Sequence, residues 1–172
     1  MASSIEIDVW QGEIAELEVD ALVVAANESL FMTAGAAASV KRYGGDEVER
    51  AAVEQGPVHP GSAVATAGGA LAAPYVIHAV AVGHDRLADP AVLTAAVRSA
   101  LAFAEPLQLR RIAVALLGVE HGAFTAAEAA AVLVPALVAE ARSTQIESIV
   151  LATTHASEAL AMTEAISGAA IS

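Results

Sequence analysis

The sequence predicts an α/β fold in which a mostly parallel or mixed sheet is covered by helices on both faces. Three observations lead there. Six short apolar segments bounded by Gly or polar residues read as strands. Longer stretches between them read as helices, two of them with clear start signals. The composition, 56% hydrophobic but only 3% aromatic, requires a core of Ala, Val, Leu and Ile. Helices and strands packed through Ala come close together.

Taken in order, a first strand is expected at residues 5–10, with Glu6 and Asp8 inside it. A second is expected at 21–26, within the apolar run that starts at Val19 and ends on Asn27. Thr33, Ala34, Gly35, Ala36, Ala37, Ala38 and Ser39 follow, a loop of tiny side chains leading into a helix at 36–43. A helix at 47–55 opens on Asp46 and Glu47, acids suited to a helix N-terminus. Strands at 63–67 and 75–80 are separated by a turn holding Gly68, Gly69 and Pro74. The helix at 90–104 is capped by Asp89 with Pro90 at its first position. After a strand at 111–117, the loop 118–124 runs straight into Thr125-Ala126-Ala127-Glu128, a capping box that starts a helix at 126–141. Pro135 should kink that helix or end its first half, because it removes a hydrogen bond and crowds Ala131. A strand at 148–153 and a helix at 157–166 complete the pattern.

At 172 residues the chain fits one ordinary domain, expected to span 1–172. Residues 61–83 carry no charge over 23 positions, long enough to cross a bilayer, but Gly68-Gly69, Pro74 and His78 divide the segment into two strands of a core. No basic region precedes an apolar stretch at the N-terminus, so a signal peptide is not expected. The absence of Cys excludes disulfides, thiolate zinc sites and Cys nucleophiles, and cytoplasmic localisation is the default expectation. The net charge of −12, with eight basic residues and Lys41 the sole lysine, disfavours nucleic acid as a partner. The adjacent basic pairs, Lys41-Arg42 and Arg110-Arg111, read as solvated helix or strand ends. His59, His78, His84, His121 and His155 show no metal spacing, and Ser29, Ser39 and Ser62 no nucleophile motif.

In such sheets ligands bind outside the carboxyl ends of strands, which singles out the loops after residue 26 and after Leu117. A strand delivering Asn27 into a loop of small residues can bring backbone N–H groups close to a phosphate-bearing ligand. The same small residues could simply let a helix pack tightly on the sheet.

Several motifs in order resemble a macro domain. They are Gly12-Glu13-Ile14; Val19-Asp20-Ala21-Leu22-Val23 with Ala25-Ala26-Asn27; Gly35; Gly44-Gly45; Gly61-Ser62-Ala63 with Thr66; Tyr75-Val76-Ile77-His78-Ala79-Val80; and Leu117-Gly118 with Gly122. The resemblance covers 5–166. It implies a three-layer α/β/α macro-domain-like fold with a mixed, mostly parallel central sheet of about six strands, and a cleft for ADP-ribose or a related small nucleotide. Some members hydrolyse ADP-ribosyl or O-acetyl-ADP-ribose esters.

By that resemblance Glu13 stands where the family usually has Asp, accepting from the adenine amino group, with the Ile14 N–H nearby. The alternative for Glu13 is a solvated helix-start carboxylate. Asn27 matches the Asn that contacts the distal ribose, or else caps its own turn. Gly35 and Ala36 belong to the first phosphate loop, where added methyls narrow the space. Ala37 stands where hydrolytic members carry Asp, so no catalytic residue is assigned. The second loop, Gly-Thr-Gly-x-Gly-Gly-Phe in the family, is here Gly118, Val119, Glu120, His121, Gly122, Ala123 and Phe124. A Glu120 carboxylate about 6 Å from a phosphate charge would cost on the order of 3 kcal/mol. Pointing to solvent, or protonation of His121, would relieve it. Thr154 replaces an aromatic that often stacks on adenine, unless His155 substitutes. His78 is expected to be a buried structural residue.

The expectation is a binding module for ADP-ribose, without cofactor or metal, binding weakly because its phosphate loops are altered. One alternative is a degenerate macro fold acting as an interaction or oligomerisation unit, a homodimer among its forms. The other is a hydrolase of ADP-ribosyl esters.

Overall fold

The computed structural model describes residues 4–169. The ends of the expected 1–172 domain, residues 1–3 and 170–172, lie outside the described residues. The strands are β1 (Glu6–Gln11), β2 (Ala21–Ala25), β3 (Ala63–Ala67), β4 (Tyr75–Ala79), β5 (Arg111–Ala115) and β6 (Ser148–Thr153). They form one sheet in the order β1-β6-β5-β2-β4-β3, parallel throughout except for the edge pair β3 and β4. The helices are α1 (Gly35–Gly44), α2 (Asp46–Val53), α3 (Pro90–Leu101), α4 (Ala126–Ala141) and α5 (Ala156–Ala169).

Alternation along the central strands builds two cores. Ala21, Val23, Ile112, Val114, Ile149 and Leu151 pack with Leu93, Val97, Leu133, Leu137 and Met162 of α3, α4 and α5. Leu22, Val24, Ala113, Ala115 and Ala152 face the other way, against Val40 of α1, Val48 of α2 and Ile14. This is the three-layer arrangement, with a mixed and mostly parallel sheet. The uncharged stretch 61–83 forms β3 and β4, and among the described residues no helix is long and apolar enough to cross a membrane.

Most expected elements occur within a few residues of their expected limits. Asp89 accepts from the Ala91 N–H at 2.9 Å, and Thr125 and Glu128 close a reciprocal capping box. Three strands are shorter than expected, β2 stopping at Ala25 by one residue. β4 stops at Ala79 and β5 at Ala115, so Val80, Leu116 and Leu117 are buried beyond the ladder. The third helix ends at Leu101 rather than at 104, and its last residues continue as turns. Pro135 does not end the first half of α4, which is continuous through it. Both Pro135 and Ala131 lie on the exposed face, where water can satisfy the carbonyl that the proline leaves without its N–H.

His78 is fully buried in β4, with Thr66 Oγ1 3.0 Å from Nε2 and no partner for Nδ1. Burial lowers its pKa to about 4. The unfolded chain, with an ordinary value near 6.5, then takes up a proton first as pH falls. The stability held by neutral His78 is therefore fully present above about pH 6.5 and is lost as pH drops toward 4, on the order of 3 kcal/mol in all. Urea titrations from pH 7 to 4.5 should show this loss in the wild type and a shallower decline in His78→Leu. Equal slopes would contradict the buried neutral imidazole.

Candidate functional site

Five parallel strands end on the same side of the sheet, and the segments that leave them wall a cleft of about 470 Å³. Its floor is Ala25, Ala115 and Ala152, the last residues of β2 and β5 and the penultimate residue of β6. Small side chains there leave the space. Larger ones at the same positions would fill it.

At one end, Gly12 continues the β1–β6 ladder by donating its N–H to Thr153 O at 2.8 Å. A Cβ at Gly12 would come within 2.5 Å of the Trp10 ring, so only glycine turns the chain here without displacing the indole. The next residue, Glu13, enters the cleft wall, where its Oε2 accepts from Ser39 Oγ at 2.5 Å and its Oε1 lies 3.8 Å from Arg42 Nη2. Glu13 stands at the start of the short 3-10 turn Ile14–Glu16, but its carboxylate makes no capping bond there and is held by Ser39 instead. Ile14 lines the cleft beside it and is buried in the second core.

Ser39 and Arg42 were not singled out as site residues from sequence. Their signal is helical spacing: once α1 begins at Gly35, positions 35, 39 and 42 share one face, and all three line the cleft. Arg42 sits in the last turn of α1, as expected of a helix end, but its guanidinium also borders the cleft and lies 5.4 Å from the centre of the Tyr43 ring.

Asn27 lines the cleft immediately after β2. Its Nδ2 donates to Phe31 O at 3.0 Å and its Oδ1 accepts from the Phe31 N–H at 3.3 Å, so the amide fastens the turn that carries buried, left-handed Leu30 (φ 67°). Phe31, half exposed, is presented to the cleft. Gly35 opens α1 with φ 58°, and a Cβ there would meet nothing within 4 Å, so conformation rather than crowding calls for glycine. Ala34 provides no side-chain cap, and Gly35, Ala36 and Ala37 bring the uncapped first turn of α1 to the cleft.

The second loop divides into two parts. Val119, Glu120 and His121 line the cleft, whereas Gly118, Gly122, Ala123 and Phe124 do not. Gly118 is buried with φ 105°, and a Cβ on it would press on Phe124 at 3.1 Å and Leu93 at 3.2 Å. Phe124, also buried, donates its N–H to Gly118 O at 3.0 Å and closes the loop from behind. Gly122 is exposed with φ 70°.

Glu120 does not point to solvent. Its Oε2 accepts from the Gly118 N–H at 2.7 Å, and its Oε1 is sealed from solvent without a partner. Burial pushes its pKa up, its own N–H and that of Gly118 pull it back, and the charge of Glu158 adds to the rise. Glu158 is held in turn by Thr153, whose hydroxyl donates to Oε1 at 2.5 Å while accepting from the His155 N–H at 3.1 Å. Thr154 and His155 are exposed on the same wall. Among the described residues, no group of three or more His, Asp or Glu side chains is arranged to hold a metal ion.

The family model for Macro domain matches residues 23–133. This chain belongs to the macro domain family. It is 36% identical over 135 residues to an uncharacterized protein of Mycobacterium tuberculosis, a match covering 78% of this chain and 38% of that one. The macro domain thus spans about four tenths of the length of the mycobacterial relatives it matches. Among solved structures, the Trypanosoma brucei macrodomain in complex with ADP-ribose superposes with a TM-score of 0.85 at 21% identity, over 94% of this chain and 69% of that one. The Oceanobacillus iheyensis macrodomain with ADP gives 0.85 at 18% identity, over 93% and 89%. At such identities the likeness is one of fold.

In this macro domain Asn27 has a structural duty that can be measured without any ligand. Asn27→Ala, which loses both bonds to Phe31, should lower unfolding stability by about 1 kcal/mol in urea titrations. An unchanged midpoint would mean that the 27–31 turn holds its shape without the amide.

Proposed function

We propose that the cleft binds ADP-ribose or a closely related nucleotide. The observation that carries this reading is the opposition, across one cleft at the carboxyl ends of the strands, of the uncapped first turn of α1 at Gly35 and the turn at 119–121. Uncapped helix N-termini attract anions through their free N–H groups and the helix dipole. Glu13 supports an adenine end: Ser39 fixes one carboxylate oxygen and leaves the other able to accept from an exocyclic amine. The ADP-ribose in the Trypanosoma structure and the ADP in the Oceanobacillus structure support the ligand class.

Binding is favoured over hydrolysis because Ala37, at the position where the resemblance implies an acid, is a buried alanine packed with Ile14 and Val40. The affinity is expected to be weak, since carboxylates of Glu13, Glu120 and Glu158 border the cleft against one guanidinium, that of Arg42. The proposal extends to a single macro-type unit over 1–172 and to a cytoplasmic setting, supported by the cysteine-free composition.

Calorimetric titration with ADP-ribose, with AMP and ribose 5-phosphate as controls, tests the reading. ADP-ribose should bind more tightly than either control, and Glu13→Ala should weaken it about tenfold, the worth of one hydrogen bond to a charged group. No detectable heat at millimolar ADP-ribose would overturn the proposal.

A further inference from the structure

We infer that Glu120 lends its carboxylate to the amides of its own turn as a built-in anion, so that a phosphate-bearing ligand gains those amides only by displacing it. The inference rests on the ADP-ribose reading and specifies what regulates that site.

The geometry begins with the backbone. Gly118, with positive φ (105°), is followed directly by right-handed Val119 (φ −86°, ψ −4°), and successive residues of opposite hand shape a concave nest of N–H groups that attracts anions. The nest is filled from within. The 2.7 Å bond from the Gly118 N–H to Glu120 Oε2 has the length of a charge-assisted hydrogen bond, and the N–H of Glu120 itself also favours the charged carboxylate. An ordinary loop glutamate would extend into water. This one turns inward, leaving Oε1 buried and without a partner on the wall of the cleft.

The seat is held under tension from two sides. Glu158 of α5, itself tied to Thr153, repels the carboxylate, and burial disfavours its charge. Both effects raise the pKa of Glu120, so the group takes up a proton sooner than a free glutamate as pH falls. Protonation removes the charge that competes with the ligand. ADP-ribose affinity should therefore rise as pH falls through that pKa and should be lowest above it, where the carboxylate is charged. The other titratable or charged groups on the cleft are His121 in the same turn, His155 ahead of α5, Glu158, and Glu13 and Arg42 across the cleft. Glu120→Gln removes one titration and leaves theirs, so the difference between variant and wild type isolates Glu120.

The test uses the full chain as wild type, Glu120→Gln and Glu120→Gly, titrated calorimetrically with ADP-ribose at pH 8 and pH 5.5. The Gly118 amide resonance is followed by NMR in the ligand-free proteins. At pH 8, Glu120→Gly should bind ADP-ribose on the order of tenfold to a hundredfold more tightly than wild type, and Glu120→Gln should fall between them. The gap should narrow at pH 5.5. The Gly118 resonance should titrate in the wild type and shift in both variants. A Gly118 resonance indifferent to pH and to both substitutions, or a Glu120→Gly protein that binds ADP-ribose no more tightly than wild type, overturns the inference and leaves the ADP-ribose reading intact. If Gly118 follows Glu120 but all three proteins refuse millimolar ADP-ribose, the ADP-ribose reading falls and ligand displacement falls with it.

Discussion

The two-sided burial of β2 and its parallel neighbours is the constraint from which the rest of this molecule follows. Leu22 and Val24 face one helical layer while Ala21 and Val23 face the other, so neither layer can be removed without exposing half of the strand. Because β1, β6, β5, β2 and β4 run the same way, every connection that follows one of these five leaves the sheet at the same end, and the loops there are brought together whatever their sequences. The site is a consequence of strand direction before it is a consequence of any side chain.

What the side chains add is space and charge. The sheet face toward α1 and α2 carries Ala113, Ala115 and Ala152, and with Ala25 these small residues let the cleft reach down to the strand ends. Around that floor the chain places groups that are restrained rather than free. Glu13 is fixed by Ser39, Asn27 by Phe31, Glu158 by Thr153, and Glu120 by the amide of Gly118. The first loop presents an uncapped helix turn and the second a turn that already holds a carboxylate. A ligand with phosphates meets those two loops differently.

Much of the fold was legible in the sequence because its signals are local. Asp89 with Pro90, and Thr125 with Glu128, announce helix starts through bonds that span two or three residues. Alternation and apolar runs located all six strands. Pro135 did not end the first half of α4 because its effect depends on which face it occupies, and exposure on that face follows from the packing of α4. Within the site, Asn27, Gly35 and the 119–121 turn were legible as strand ends and helix starts. The bond between Ser39 and Glu13 was not, since it joins residues 26 apart through the docking of α1 on the turn that follows β1. The inward rotation of Glu120 was also hidden. It depends on the positive φ of Gly118 and on the bond from the Phe124 N–H to Gly118 O, conformations that the run 118–124 does not spell out.

A crystal structure of the chain with ADP-ribose would show whether a phosphate-bearing ligand takes the seat that Glu120 occupies. The adenine should lie beside Glu13, the diphosphate between the first turn of α1 and the 119–121 turn, and the Glu120 carboxylate should have moved off the Gly118 amide. A ligand bound away from the carboxyl ends of the parallel strands, or a diphosphate seated on the 119–121 turn with Glu120 still bonded to Gly118, would contradict that arrangement.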